Sequence, residues 1–318
     1  MDHSVAEHLS GYQRRDRRVV DYQMYQEPAS GLWFRGPPPT REPGRYITYL
    51  GAAQTFGCFC KTPFCNIIEE ATGVEAVNLG YGGAGPLFYL RHPELIDIAN
   101  RGRFAVIQVM SARSEDNSLY ESGGLEFLVD RATGKRLSAD VAYSRLLSAH
   151  PVPGLPAKLA RAVRVFQAPA AIKSVIAETR ANWVANYLKL FDQITVPIVV
   201  LWFSKRTPGL HSNKGLRWWW QRYDNVHAMF GKFPQLVNSA MIAELRRTPV
   251  GYVESVSERG SPQPLFDFET GEPVTVSTVD DRPDFQDVWT HNAYYPSPEM
   301  HEDAAADLLP VCEELLCL

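Results

Sequence analysis

Apolar residues along this chain fall into short unbroken runs, separated by stretches in which they recur every three or four positions. "RYITYLG" (45–51), "VEAVNLG" (74–80), "RFAVIQVM" (103–110) and "VPIVVLWFS" (196–204) are runs of the first kind, and "PVGYVESV" (249–256) reads as a fifth strand. Continuous rather than alternating runs mark strands covered on both faces, as in a parallel sheet. Between them, "TPFCNIIEEATG" reads as a helix with Thr62 at the N-cap, Pro63 at the first helical position and Gly73 beyond the end. "HPELIDIANRG" reads as a second helix closing at Gly102, and "PEMHEDAAADLLPVCEELL" as a last one. The strongest helical segment is "AIKSVIAETRANWVANYLKLFDQI". It places Ile172, Val175, Ile176, Trp183, Tyr187, Leu190 and Phe191 on one stripe.

Strands alternating with helices predict an α/β fold with a doubly wound parallel sheet, because right-handed crossovers put helices on both faces. The helical stretch from about 138 to 194 is then an insertion between the third and fourth strands. Residues 1–43 carry little periodicity and end in "FRGPPPTREPG", which predicts an irregular N-terminal arm. Residues 44–318 form the α/β domain.

Composition narrows the function. The 318 residues are 45% hydrophobic, enough for one large core. A formal net charge of -4 gives no reason to expect nucleic acid as partner, and the basic run "QRRDRR" is local. No apolar run approaches the roughly 20 residues of a membrane helix, and the polar N-terminus lacks the apolar stretch of a signal peptide. Cys58, Cys60, Cys65, Cys312 and Cys317 are odd in number and unevenly placed, so reduced thiols in a cytoplasmic protein are expected rather than a disulfide framework. The first three lack a zinc-site spacing, with His92 the nearest histidine, and no metal is expected.

In a doubly wound sheet, ligands bind beyond the carboxyl ends of the strands. That rule selects residues 51–62, 80–86, 110–117, 204–215 and 292–301. Within them, "GAAQTFG" followed by a helix, then "VNLGYGGAGP", and late in the chain "NAYYPSPEMHEDAA", resemble three conserved blocks of the SGNH (GDSL-type) hydrolases. The resemblance spans about residues 45–115 and 285–318 and implies an SGNH/flavodoxin-like sheet. The departures are specific. The nucleophilic serine of that family falls on Ala53 and its neighbouring aspartate on Ala52. The catalytic aspartate falls on Asn292 and the catalytic histidine on Tyr295, while "MSARS" lacks the oxyanion-hole asparagine of the third block. Alanine cannot attack a carbonyl, and a phenol is a poor base at neutral pH, so serine-esterase chemistry is not expected. The chain also resembles an uncharacterised bacterial family sharing "FRGP", the Thr-Phe-Gly loop before Pro-Phe, and the Asn-Leu-Gly strand end.

Direct group transfer needs no enzyme nucleophile, only a donor site, a base and alignment. Gln54, Thr55, Gly57, Lys61 and Thr62 at a helix start suit an anionic donor. Gly80 and Gly83 are candidate backbone donors, and Arg113 with Ser111 and Asn117 supplies a second cationic loop. His301 is the expected base, Glu299 its orienting carboxylate and His291 the reserve. Trp219, Arg217, Arg222 and Tyr295 are the expected acceptor surface. The expectation is therefore a transferase moving a sulfuryl or acyl group onto a hydroxyl of a saccharide or lipid headgroup. Phosphoadenosine phosphosulfate or a coenzyme A thioester would be the co-substrate. Two alternatives stand beside it: an inactive glycan-binding module, and an esterase using Cys58 with His301, with Cys60 a second thiol in that loop.

Overall fold

The computed structural model describes residues 15–148, 170–210, 225–248, 251–277 and 288–317. Five strands form one sheet: β1 (Tyr46–Leu50), β2 (Glu75–Asn78), β3 (Phe104–Gln108), β4 (Ile198–Ser204) and β5 (Gly251–Val256). Their order is β5-β4-β3-β1-β2, with every neighbouring pair parallel. This is the flavodoxin-like order, in which the winding reverses between β1 and β3. Each expected strand is present, and the first four are trimmed by one or two residues at one or both ends.

Alternate side chains of these strands feed two cores. Tyr46 and Leu50 of β1, Ala105 and Ile107 of β3, and Val200 and Trp202 of β4 face one layer. Ile47, Tyr49, Phe104, Val106, Val199, Leu201 and Phe203 face the other. Full burial of β1, β3 and β4 on both sides explains why they read as unbroken apolar runs.

Among the described residues the α-helices are α1 (Ala53–Phe56), α2 (Phe64–Thr72), α3 (Pro86–Leu90), α4 (Pro93–Asn100), α5 (Ala139–Ser148), α6 (Ala170–Gln193), α7 (Val226–Phe230), α8 (Ser239–Leu245) and α9 (Pro298–Cys317). Helices α2 and α9 cover the second layer through Phe64, Cys65, Ile68, Met300, Ala304 and Leu308. Helices α3, α4, α6 and α8 cover the first. All seven apolar positions expected on α6 are buried. Two of them also carry polar tips that pin the end of β3. Trp183 Nε1 donates to Met110 O (3.1 Å), while Tyr187 Oη donates to Gln108 O (2.7 Å) and accepts from Met110 N (2.8 Å).

Helix α2 starts one residue later than the sequence pattern implies. Pro63, not Thr62, is its N-cap, and no side chain of the cap itself bonds the first turn. A distant group does so instead: Phe64 N donates to His301 Nδ1 at 3.2 Å. The antiparallel sheet Tyr120–Glu121, Phe127–Asp130 and Arg136–Ser138 was not foreseen, because strands of two to four residues leave no period to read. The N-terminal arm carries a small hairpin, Tyr25–Gln26 against Trp33–Phe34. No helix among the described residues is long and apolar enough to cross a membrane.

Candidate functional site

At the reversal point β1 runs into Gly51, where a Cβ would lie 2.1 Å from Thr55 Oγ1 and 2.5 Å from Gln108 Oε1. Only glycine fits there. The vacated space lets Gln108 Oε1 accept from Ala52 N (3.0 Å) and Thr55 Oγ1 (2.7 Å). Tyr89 Oη accepts from Gly51 N (2.8 Å) and sits within 2.8 Å of the carbonyls of Gly51 and Leu79. Side chains of the protein thus fill the crevice where a doubly wound fold ordinarily holds its ligand.

A recess remains just outside. Its floor is Ala52, Ala53 and Gln54 at the start of α1, with Gly83 and Ala84 alongside. Ser111, Arg113 and Ser114 beyond β3 form one wall with Glu126 of the hairpin sheet; Phe233, Gln235, Tyr294 and Tyr295 form the other. Its free volume is about 40 Å³, room for about three waters. Only the end of a ligand fits without movement of a wall.

Arg113 is the charge at its centre. Nη2 donates to Glu126 Oε2 at 2.9 Å and Nη1 to Asp140 Oδ2 at 3.0 Å. Burial works against its charge, but the phenol of Tyr294 and the two carboxylates outweigh burial and hold the guanidinium protonated. Ser111 Oγ accepts from Arg113 N (3.2 Å), and Ser114 Oγ donates to Gly83 O (2.8 Å). Gly83 has φ +77°, and a Cβ there would meet Glu126 Cγ at 3.0 Å.

The three triad-equivalent positions are committed to structure. Ala53 is 7% exposed at the recess floor. Asn292 is fully buried: its Oδ1 accepts from Tyr294 N (3.2 Å) and Tyr295 N (2.9 Å), and its Nδ2 donates to Gln263 Oε1 (3.0 Å) and Tyr295 O (3.2 Å). It shapes the turn that presents both tyrosines. Burial raises the phenol of Tyr295 well above its ordinary value, which removes it as a neutral-pH base. Behind Tyr295 lies Arg15, 5.7 Å from that ring, 4.7 Å from Phe59 and 4.4 Å from Trp289, and ion-paired to Asp16 at 2.6 Å.

Several residues expected at the site lie elsewhere. His301 is completely buried, stacked on Phe64 (ring centroids 5.9 Å) and against Phe203 (5.1 Å) in the layer beneath α9. Burial, with help from Arg35, lowers its pKa to about 3, so it stays neutral. It caps α2 rather than serving the recess. Lys61 is exposed outside the recess lining. Thr62 carries a carbonyl that accepts from Cys60 Sγ. Gly57 is a left-handed C-cap whose N–H returns to Ala53 O. Thr55 is buried on Gln108, and Gly80 N donates to Asn78 Oδ1 at 2.9 Å, so neither offers a free donor. Asn117 uses both amide ends, on Tyr143, Thr179, Leu119 and Tyr120, as an internal tie. Glu299 has a buried carboxylate oxygen without a partner, packed where a Cβ on Gly260 would collide with it. His291 is exposed. Trp219, Arg217 and Arg222 lie outside the described residues.

The loop after α1 has the polarity of a cation site, contrary to the anion site its sequence suggests. The buried Arg35 of "FRGP" donates Nη1 to the carbonyls of Phe56 (3.2 Å), Gly57 (3.0 Å) and Cys60 (2.9 Å), and Nη2 to that of Lys61. Tyr22 Oη accepts from Phe59 N (2.9 Å), where φ is +60°. The arm thus supplies the internal cation that the inward carbonyls need. Replacing Arg35 with Met keeps bulk but strands those carbonyls; we expect a loss of about 3 kcal/mol in urea unfolding. An unchanged midpoint would show that the clamp contributes nothing.

The thiol alternative fails on the same geometry. Cys58 is fully buried, and burial with Asp16 nearby raises its thiol well above the ordinary value. Burial likewise pushes Cys60 and Cys65 up to about 12. None is a nucleophile at neutral pH, and Cys58 belongs to a different core cluster from the one around Phe64 and Phe203 that holds His301.

Glu126, Phe233, Gln235 and Tyr294 line the recess without having been singled out in the sequence. Tyr294 adjoins a position already singled out, whereas Glu126 and Gln235 arrive on a hairpin and a loop with no motif of their own.

A family model described as a domain of unknown function (DUF6473) matches residues 11–122. No curated protein matches the chain. Solved structures similar to it include a catalytic mutant of Axe2, an acetylxylan esterase from Geobacillus stearothermophilus, at 12% identity and TM-score 0.38, covering 84% of this chain and 94% of that one. Phospholipase A1 from Streptomyces albidoflavus is similar at 10% identity and TM-score 0.41, covering 86% and 99%. A candidate SGNH hydrolase from Slackia heliotrinireducens is similar at 13% identity and TM-score 0.36, covering 85% and 99%. The fold class stands on the sheet order and strand directions themselves.

Proposed function

We propose that this protein is a ligand-binding relative of hydrolase-type folds, whose recess receives a hydroxyl-bearing small molecule, a saccharide above all, without hydrolysing it. The observation that carries this reading is the lining of the recess. Among the described residues it contains a cation, a carboxylate, two amides and two phenols, but no histidine and no thiol. Its two serine hydroxyls are already engaged, Ser111 with Arg113 N and Ser114 with Gly83 O. Polar groups that fix orientation are present, while the described residues of this lining include no activated nucleophile.

One observation favours a second reading, sulfuryl or acyl transfer from phosphoadenosine phosphosulfate or a coenzyme A thioester. Glu126, 2.9 Å from Arg113, pairs a carboxylate able to take a hydroxyl proton with a cation able to meet an anionic donor. Thermal unfolding with saccharides and with both donors, each in large excess, separates the two. A ligand at about 100 times its Kd adds roughly 2.7 kcal/mol. We expect a rise with saccharide, none with either donor, and no turnover of an aryl ester. A rise with a donor alone would establish transfer. Ester turnover lost on changing a recess residue would restore hydrolysis.

A further inference from the structure

Gln54 and Gln235 line the recess at 3% and 5% exposure, and each holds a side-chain oxygen with no hydrogen-bond partner. Gln108, directly beneath Ala52, leaves its Nε2 unpartnered as well. The buried asparagines nearby do not share this property. Asn292 and Asn117 use both ends of their amides, and Asn78 donates to Thr55 O and accepts from Gly80 N. A buried amide oxygen left unpaired is costly. Turning the Gln235 amide over does not help, because Tyr294 Oη can serve only one of its ends.

Charge selects among ligands. Arg113 is one cation answered by two carboxylates, Glu126 and Asp140. A sulfate, phosphate or carboxylate would meet an excess of negative charge there, whereas a neutral hydroxyl would not. The unpaired amide oxygens ask for donors, which hydroxyls supply. Tyr294, 40% exposed, offers a ring at the mouth of the kind that packs on sugar faces.

We propose that the recess binds an uncharged saccharide, its hydroxyls donating to the amide oxygens of Gln54 and Gln235 and its ring lying on Tyr294. This rests on the ligand-binding reading above. Gln235 Nε2 is released as a donor to the same sugar when its 2.9 Å bond to Tyr294 Oη opens at the exposed ring.

Wild type, Gln54→Met and Gln235→Met are titrated with a panel of neutral mono- and disaccharides, with glucuronate and with glucosamine. The neutral sugar that binds best is expected to do so at least tenfold more tightly than either charged sugar, and each variant to lose at least tenfold of that affinity. The ligand-free melting midpoint of Gln54→Met is expected to rise by about 2 °C, because an unpaired buried oxygen has been removed. A fall in that midpoint would show the amide to be structural and overturn the proposal. Tighter binding of glucuronate or glucosamine would overturn the assignment to neutral sugars and leave ligand binding standing. No binding of any sugar to the wild type would overturn both.

Discussion

Glu115→Gln is expected to be about 4 kcal/mol more stable than the wild type at pH 8, and no more stable below pH 4.5. Glu115 is fully buried beside α3 and α6, with Oε2 accepting from Asn186 Nδ2 at 2.7 Å and Oε1 unpartnered. Burial pushes its carboxyl from 4.5 to about 8, with Asp116 adding to the rise and Asn186 working against it. Between those values the folded chain holds a proton that the unfolded chain has released. Stability therefore falls by about 1.4 kcal/mol per pH unit as pH rises through the window. Glutamine keeps the oxygen that Asn186 needs and has no proton to lose. Urea unfolding of both proteins at pH 5 and pH 8 checks this; parallel pH dependences would mean that Glu115 is ionised in the folded state.

The second large effect has the opposite sign. His301 has a folded pKa of about 3 against an ordinary 6.5, so its contribution is complete above pH 6.5 and is lost as pH falls towards 3. By pH 3.5 the wild type should have lost about 4 kcal/mol through this one ring. His301→Asn retains an acceptor for Phe64 N but does not titrate. It should begin less stable at neutral pH, by about 2 kcal/mol for the lost ring volume, and then converge on and overtake the wild type as the solution is acidified. A constant gap between the two unfolding curves from pH 7 to pH 4 would contradict the buried, neutral histidine.

That same residue shows where sequence reading reaches its limit. "PEMHEDAA" correctly announces a helix, and its histidine stands in a block that resembles a catalytic one. Helical phase then turns His301 inward onto Phe64 and Phe203, not towards the tyrosines of the preceding turn. Continuous apolar runs announced β1, β3 and β4 because burial on both faces imposes that pattern on each strand separately. The α6 stripe was legible for the same reason. Lys61 looked like an anion ligand because its neighbours are glycine, threonine and a helix start. What decided the loop's polarity was Arg35, more than twenty positions upstream in a segment without periodicity. Arg113 was visible from its place after β3. Glu126 and Asp140, which offset its charge, were not, because short hairpin strands and a helix start bring them there only in the folded chain.

The phenol of Tyr89 joins Gly51 and Leu79, the ends of two adjacent strands, through a single buried oxygen. Trp183 and Tyr187 fasten the end of the neighbouring strand to α6 in the same way. The base of the recess is therefore tied into the buried core, where local opening is expected to be rare, while Tyr294 at its rim is 40% exposed. Movement around the recess is accordingly expected at its rim, with the foundation left undisturbed.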